Sequence, residues 1–383
     1  MAVEQIPINP EILKWARSRA GYSYEDLSNQ FKKLPDWEEG ITMPTYRQLE
    51  SLSDKLKCPI AVFFFPSPPE LEPIRNSFRT LPDAEYELMP PSVRIILRKA
   101  KAMQLNLAEL NQETPISKRK LLRDLQFTAD TPLERIADEI RQYLNVPLRE
   151  QIAWKDVSDA LEHWRHIFSL NGIFVFKDAF KADEYSGFCL YDPDFPIIFL
   201  NNSNSKTRQI FTLFHELAHL IFRTSGIDKI HDGYIDYLRK DEKLVEMLCN
   251  RFASVFLVPD SKFETLIQDI EIDEQEIKNL AYVFKVSPEV VLRKFLDKGL
   301  VSQIDYESLT EGWRAQFLEF KKNRKPGGDA YYTRISYLGK DYVDLALTQY
   351  HQNRIDSLKL SDFLNIKPKH LEKFQDKFLG GGI

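Results

Sequence analysis

Cysteine is scarce in this chain. Cys58, Cys189 and Cys249 are the only three in 383 residues, odd in number and far apart. That excludes a disulfide framework and points to a reducing compartment, so a cytoplasmic protein is expected. Long hydrophobic runs are missing too. The longest apolar burst, Ile60 to Phe65, is far too short to span a bilayer, and the start lacks a signal-peptide pattern. No membrane partner is expected. Positive charge is not in excess either. A formal net charge of −5 argues against strong non-specific nucleic-acid binding by the whole molecule, while leaving room for a local basic patch. What is present is ordinary for a soluble globular protein: 43% hydrophobic and 28% charged residues, with length enough for two or three domains.

Histidine is also rare, at 7 residues, which makes the placing of two of them informative. The stretch Phe211-Thr-Leu-Phe-His-Glu-Leu-Ala-His-Leu-Ile221 has apolar residues at helical spacing and neither Gly nor Pro. His215 and His219, four apart, rise from one helix face and can grip one metal ion. Glu216 lies beside them, positioned to take a proton from metal-bound water. This is the H-E-x-x-H pattern of zinc proteases.

A catalytic zinc normally takes a third protein ligand and keeps one position open. The segment from Asp241 to Leu257 reads as a second helix, stopped before Pro259, with Val245, Leu248, Phe252 and Val255 as its apolar stripe. Glu246 borders that stripe and can reach a shared metal. Glu242, one turn earlier, is the rival. Asn250, four residues after Glu246, is a candidate to hold a ligand in orientation. Cys249 reads as a core residue. His231, Tyr234 and Arg251 are candidates for stabilising charge in the transition state.

Residues 1–65 read as a compact helical domain, with Asn9, Ser23 and Pro44-Thr45 at helix starts and a Leu49, Leu52, Leu56 stripe. Trp15-Ala-Arg17, the Gly21 to Leu27 segment, Trp37-Glu-Glu-Gly40 and Pro44-Thr45 resemble the XRE-type helix-turn-helix fold. The recognition helix should fall between Leu27 and Trp37, where Pro35 is expected to disrupt it. Asp36, Glu38 and Glu39 follow and would face phosphate badly. The reading is a DNA-binding fold without sequence-specific readout, kept for protein docking or scaffolding. The residues of any nucleic-acid contact are unknown, and DNA binding stays uncertain.

Residues 66–130 read as a proline-rich connector, with Phe78 and Leu81 as anchors, followed by a helix from Ser92 to Leu110. Its Arg94, Arg98, Lys99 and Lys101 form a basic face without aromatic interleaving, the pattern of a solvated surface. Helices containing Ile136 and spanning Trp154–Leu170 come next. Gly172–Phe176, Gly187–Tyr191 and Pro196–Leu200 then read as strands, with Phe188–Tyr191 or Ile197–Leu200 as an edge that could pair with a peptide. Asn201–Ser205 reads as a polar turn. With the His215 and Glu246 helices these make an α+β unit over 131–300, including short helices after Pro259. Lys321–Gly328 reads as a basic flexible linker, and Tyr337–Gln352, Lys359–Leu364 and Pro368–Phe378 as a helical module in 301–383. That module could serve dimerisation or substrate recruitment. The whole is mainly α with a small β-sheet.

These marks resemble the ImmA/IrrE family of metallo-endopeptidases, in its long form with an N-terminal helix-turn-helix. They include Gly187-Phe188, Pro196-Ile-Ile, Asn201, Phe211–Leu220, Glu246-x-x-Cys-Asn-x-Phe-Ala253 and Leu257-Val-Pro259. The resemblance implies a zincin-like catalytic domain with about one zinc per chain. It implies His215, His219 and Glu246 as ligands and Glu216 as the catalytic residue. It also implies cleavage of a helix-turn-helix repressor in a stress or mobile-element response. Two other classes remain open: a DNA-binding transcriptional regulator, and an adaptor that displaces a repressor without cutting it.

Overall fold

The computed structural model describes residues 4–70, 89–111, 119–128, 131–223, 227–229, 240–268, 270–323 and 328–380, with the side chains of 227–229, 240–242 and 320 excepted. Phe78 and Leu81 lie outside them. The chain divides into two compact units, Met1–Lys101 with Phe180–Ala182, and Ala102–Ala179 with Asp183–Ile383.

The first unit is a small helical core. Helix Pro10–Ala20 is capped by Asn9, whose side chain accepts from the Glu11 amide, and ends at Gly21 in the left-handed region at φ 79°. Ser23 caps Tyr24–Gln30, and Thr45 with Gln48 forms a reciprocal capping box on Tyr46–Leu56. Between them Pro35 does not break a helix. It occupies the first turn of the short helix Leu34–Glu38, where a missing amide costs nothing. Nor does Glu38 face outward: it is buried, and both its oxygens accept from Arg17, at 2.7 and 3.1 Å. Ile12, Leu13, Leu27, Trp37, Leu49 and Leu52 close the core around that pair. Helix Pro91–Leu110 uses one of its cations structurally. The Arg98 guanidinium donates to the carbonyls of Arg19 and Leu56, acceptors in the last turns of two helices.

The second unit is mainly helical around one mixed sheet. Its strands are β1 (Phe174–Asp178), β2 (Tyr185–Leu190), β3 (Ile197–Asn201) and β4 (Ile227–Lys229), in the order β1-β3-β2-β4. β1 and β3 are parallel, with Phe174 opposite Ile197, while β2 runs antiparallel to both β3 and β4. This overturns one of the two expected edges. β3 inserts between β1 and β2, so Ile197–Leu200 does not lie at an edge, while β4 pairs with β2 at Tyr185, Gly187 and Phe188.

Helix Lys206–Ile221 packs across β2 and β3. Gly187 makes that approach possible, because a Cβ there would stand 2.5 Å from Thr212 Cγ2 and 2.7 Å from the Phe199 carbonyl oxygen. Helix Lys240–Leu257 lies alongside it. Helices Leu133–Leu144, Leu148–Ala153 and Val157–Leu170 precede the sheet, and Asp260–Leu266, Glu274–Phe284, Pro288–Asp297 and Gln303–Asn323 follow it. The long helix Gln303–Asn323 takes in the first residues of the expected linker, and Lys321 pairs with Asp183 at 2.6 Å. Gly339, at φ 87°, splits the expected Tyr337–Gln352 helix into Ala330–Leu338 and Lys340–His351. A Cβ at that glycine would meet Arg165 Nη2 at 2.9 Å. Among the described residues no helix is long and apolar enough to cross a membrane.

Candidate metal centre

The site grows from two helices held in a fixed rotation about their axes. Ser205 caps the histidine helix, Lys206–Ile221, by accepting from the Arg208 amide. Phe214 faces inward, stacked on Phe256 of the glutamate helix, Lys240–Leu257, at 4.3 Å between centroids. Trp164 meets the same ring edge-on at 4.8 Å. With Phe214 locked in this cluster, the next residues along the helix, His215 and Glu216, and then His219, have determined directions. All three are fully buried.

The glutamate helix is fastened at its far end. Arg141 Nη2 donates to the Phe256 carbonyl and to Gln151 Oε1, both at 2.6 Å. Gln151 Nε2 donates in turn to the carbonyls of Leu257 at 3.0 Å and Phe284 at 2.7 Å. Burial pulls the Arg141 guanidinium down to about 10, against the nearby Asp138. Neither residue was singled out in the sequence, where each reads as a polar position on an amphipathic helix.

Between the helices His215, His219 and Glu246 converge. Nε2 of His215 lies 3.2 Å from Nε2 of His219. Glu246 spans both, with Oε2 3.2 Å from His215 Nε2 and Oε1 3.3 Å from His219 Nε2. They are the one group of three or more metal-binding side chains among the described residues. Burial tends to raise the Glu246 carboxyl, but hydrogen bonds from the two imidazoles prevail and hold it far below the usual carboxylate range. His215 Nδ1 lies 2.9 Å from Asn250 Oδ1, a contact that fixes the ring and directs Nε2 at Glu246 and His219.

The donor set fits a metal ion. Two imidazole nitrogens and a carboxylate are the three-ligand pattern of catalytic zinc. A tetrahedral centre with bonds of about 2.0–2.1 Å separates neighbouring donors by about 3.3 Å. The observed edges, 3.2, 3.2 and 3.3 Å, match that spacing.

Other expected residues fall elsewhere. Cys249 is fully buried and forms no disulfide, as a core residue. Asn201 is buried and structural, donating to the Tyr185 carbonyl at 2.7 Å and accepting from the Ser203 amide at 3.0 Å. Arg251 is exposed on the wall of a cavity of about 920 Å³ that Asn250 also lines. His231, Tyr234 and the Glu242 side chain lie outside the described residues.

Residues 170–296, with His215, Glu216, His219 and Glu246 inside them, match the family Peptidase_M78, described as the IrrE N-terminal-like domain. They form an IrrE/ImmA-family metalloprotease-like domain, about a third of the chain. The radiation response metalloprotease IrrE of Deinococcus radiodurans is 29% identical over 104 residues, covering 27% of this chain and 31% of the relative. Its counterpart from Deinococcus deserti is 34% identical over 80 residues, 20% of this chain and 27% of the relative. The chain thus spans less than a third of the length of these curated relatives. A solved Mycobacterium tuberculosis transcriptional regulator shares 18% identity over 43% of this chain and 46% of its own, at a TM-score of 0.29. That likeness is too slight to define a fold.

Proposed function

We propose that the protein is a zinc-dependent endopeptidase that cleaves a helix-turn-helix repressor in a stress or mobile-element response, working in the cytoplasm. The observation that carries the reading is the His215–His219–Glu246 triangle, with metal-sized edges and a buried glutamate, Glu216, beside it. Zinc, when bound, supplies Lewis acidity to water and to the scissile carbonyl. His215, His219 and Glu246 would hold it, and Asn250 would keep the His215 ring in the ligating tautomer. Glu216 would accept the proton of the attacking water and deliver it to the leaving amine. Exclusion of bulk water by the surrounding core strengthens each of these interactions.

In this reading residues 1–65 are the XRE-like domain, used for docking. Residues 66–130 connect, 131–300 catalyse, and 301–383 recruit substrate. The Arg17–Glu38 pair supports docking over DNA readout, since the buried Glu38 engages the Arg17 charge that a phosphate would need. The test is incubation of the zinc-loaded protein with the repressor encoded beside it, followed by intact-mass analysis of both chains. Two new fragments summing to the repressor plus water are expected. Release of intact repressor from DNA would replace the peptidase with an adaptor. Elemental analysis that finds no zinc, before or after reconstitution, would sink the reading altogether.

A further inference from the structure

The cavity of about 920 Å³ opens along the two ligand-bearing helices, and Asn250, which meets His215, forms part of its wall. Phe211 and Met247 give that wall an apolar floor. On the opposite wall the cations are matched by carboxylates. Arg293 pairs with Asp297 at 3.0 Å, Lys294 with Asp260 at 2.6 Å, and Lys298 with Glu264 at 2.5 Å. The wall formed by the two ligand-bearing helices carries Arg208 and Arg251. Arg208 donates Nε to Ser186 Oγ at 3.0 Å and lies over the Phe211 ring. Arg251 is exposed to the cavity and has no carboxylate partner among the described residues.

The helices offset Arg208 and Arg251 toward the same end of the metal triangle. Glu246 meets His219 and His215, and Asn250 meets His215, so the two helices run antiparallel. Arg251 stands five residues past Glu246, an axial offset of about 7.5 Å, and Arg208 seven residues before His215, about 10 Å. Because the helices are antiparallel, the two offsets point the same way. For an extended peptide running along these helix axes, at about 3.3 Å per residue, a side chain two or three residues from the bond being cut would come level with these arginines. The Arg251 guanidinium, with no carboxylate partner among the described residues, suits a carboxylate, which it can grip with two parallel hydrogen bonds.

Resting on the endopeptidase reading, we infer that this cavity is a subsite for an acidic side chain of the substrate, two or three residues from the scissile bond, recognised by Arg251 with Arg208 deeper along the wall.

The test has a binding arm and a cleavage arm. Zinc-loaded Glu216→Gln protein is titrated with dansyl-labelled, C-terminally amidated heptapeptides that differ only in one residue, Asp, Asn or Lys. The Asp peptide should bind about tenfold more tightly than the Asn peptide, and the Lys peptide more weakly still. Arg251→Glu should reverse the order. Equal affinities, no measurable binding, or an unchanged order in Arg251→Glu would overturn the inference. An Asn peptide with a free C-terminal acid distinguishes the source of the carboxylate, and binding as tight as the Asp peptide would overturn the side-chain assignment. In the cleavage arm the zinc-loaded wild type digests a chymotryptic peptide library. Asp and Glu should be enriched two or three residues to one side of the cuts. Cuts without that enrichment overturn the subsite and leave the peptidase. Charge-ordered binding without any cuts overturns the peptidase and leaves the subsite.

Discussion

Asn250 Oδ1 and His215 Nδ1 meet at 2.9 Å, a contact between two helices that presents the other imidazole nitrogen to Glu246 and His219. Asn250 is only partly buried, so its loss should leave the fold intact. Asn250→Ala is expected to weaken zinc binding by about 10–100-fold, since the ring loses the group that orients it. Competition with a chromophoric chelator measures this, with a melting curve as the control. Unchanged affinity would mean that packing alone orients His215.

Glu216→Gln keeps size and polarity but removes the base. Zinc content and folding should stay near normal, while cleavage falls by about 10²-fold or more. Single-turnover cleavage alongside zinc stoichiometry checks both halves. Retained cleavage with glutamine at this position would refute the proposed proton transfer.

The third donor is tested by comparing Glu246→Ala with Glu242→Ala. Glu246 spans the two imidazoles at 3.2 and 3.3 Å, so only its loss should abolish stoichiometric zinc uptake. Equal retention of metal in the two variants, by elemental analysis after dialysis, would move the ligand elsewhere.

Lys177 of β1 is fully buried, with Nζ 2.7 Å from Glu162 Oε1, and Arg165 shares the same carboxylate at 2.9 Å. Burial first, then Arg165, lowers the ammonium to about 7, and Glu162 only partly offsets them. Between about pH 7 and 10 the unfolded chain therefore binds more protons than the folded one, and stability rises with pH. This contribution is complete above the ordinary lysine range and is lost as pH falls to about 7. Urea midpoints of wild type and Lys177→Met across that window should diverge with rising pH. Parallel curves would refute the assignment.

How much was legible in the sequence follows from how local each signal is. The convergence of His215 and His219 needs only a helix, and an apolar stripe beside Glu246 brings in the second helix, so that part of the site could be read directly. Strand order could not. Whether β3 lies beside β1 or at an edge depends on crossovers that period-two alternation does not record, and β4 carries only three residues. Proline misled at Pro35, where its position within the helix decides whether it breaks or begins one. Arg98, Arg141 and Lys177 were invisible for one shared reason. A charged residue on an amphipathic element reads as surface until the carbonyl or carboxylate awaiting it is placed by another part of the chain.

The Arg141–Gln151 clasp fixes one end of the glutamate helix, whose length packs against the histidine helix. Its carbonyls at Phe256 and Leu257 are gripped, and Glu246 stands ten residues out from Phe256. That is a lever arm of about 15 Å, so a tilt of one degree at the clasp swings the carboxylate by about 0.3 Å. Metal coordination tolerates deviations of only about 0.2 Å. Part of the centre's tolerance is therefore set at a joint remote from it, by an arginine and a glutamine that touch no ligand, alongside the core packing of Cys249, Phe252 and Ala253.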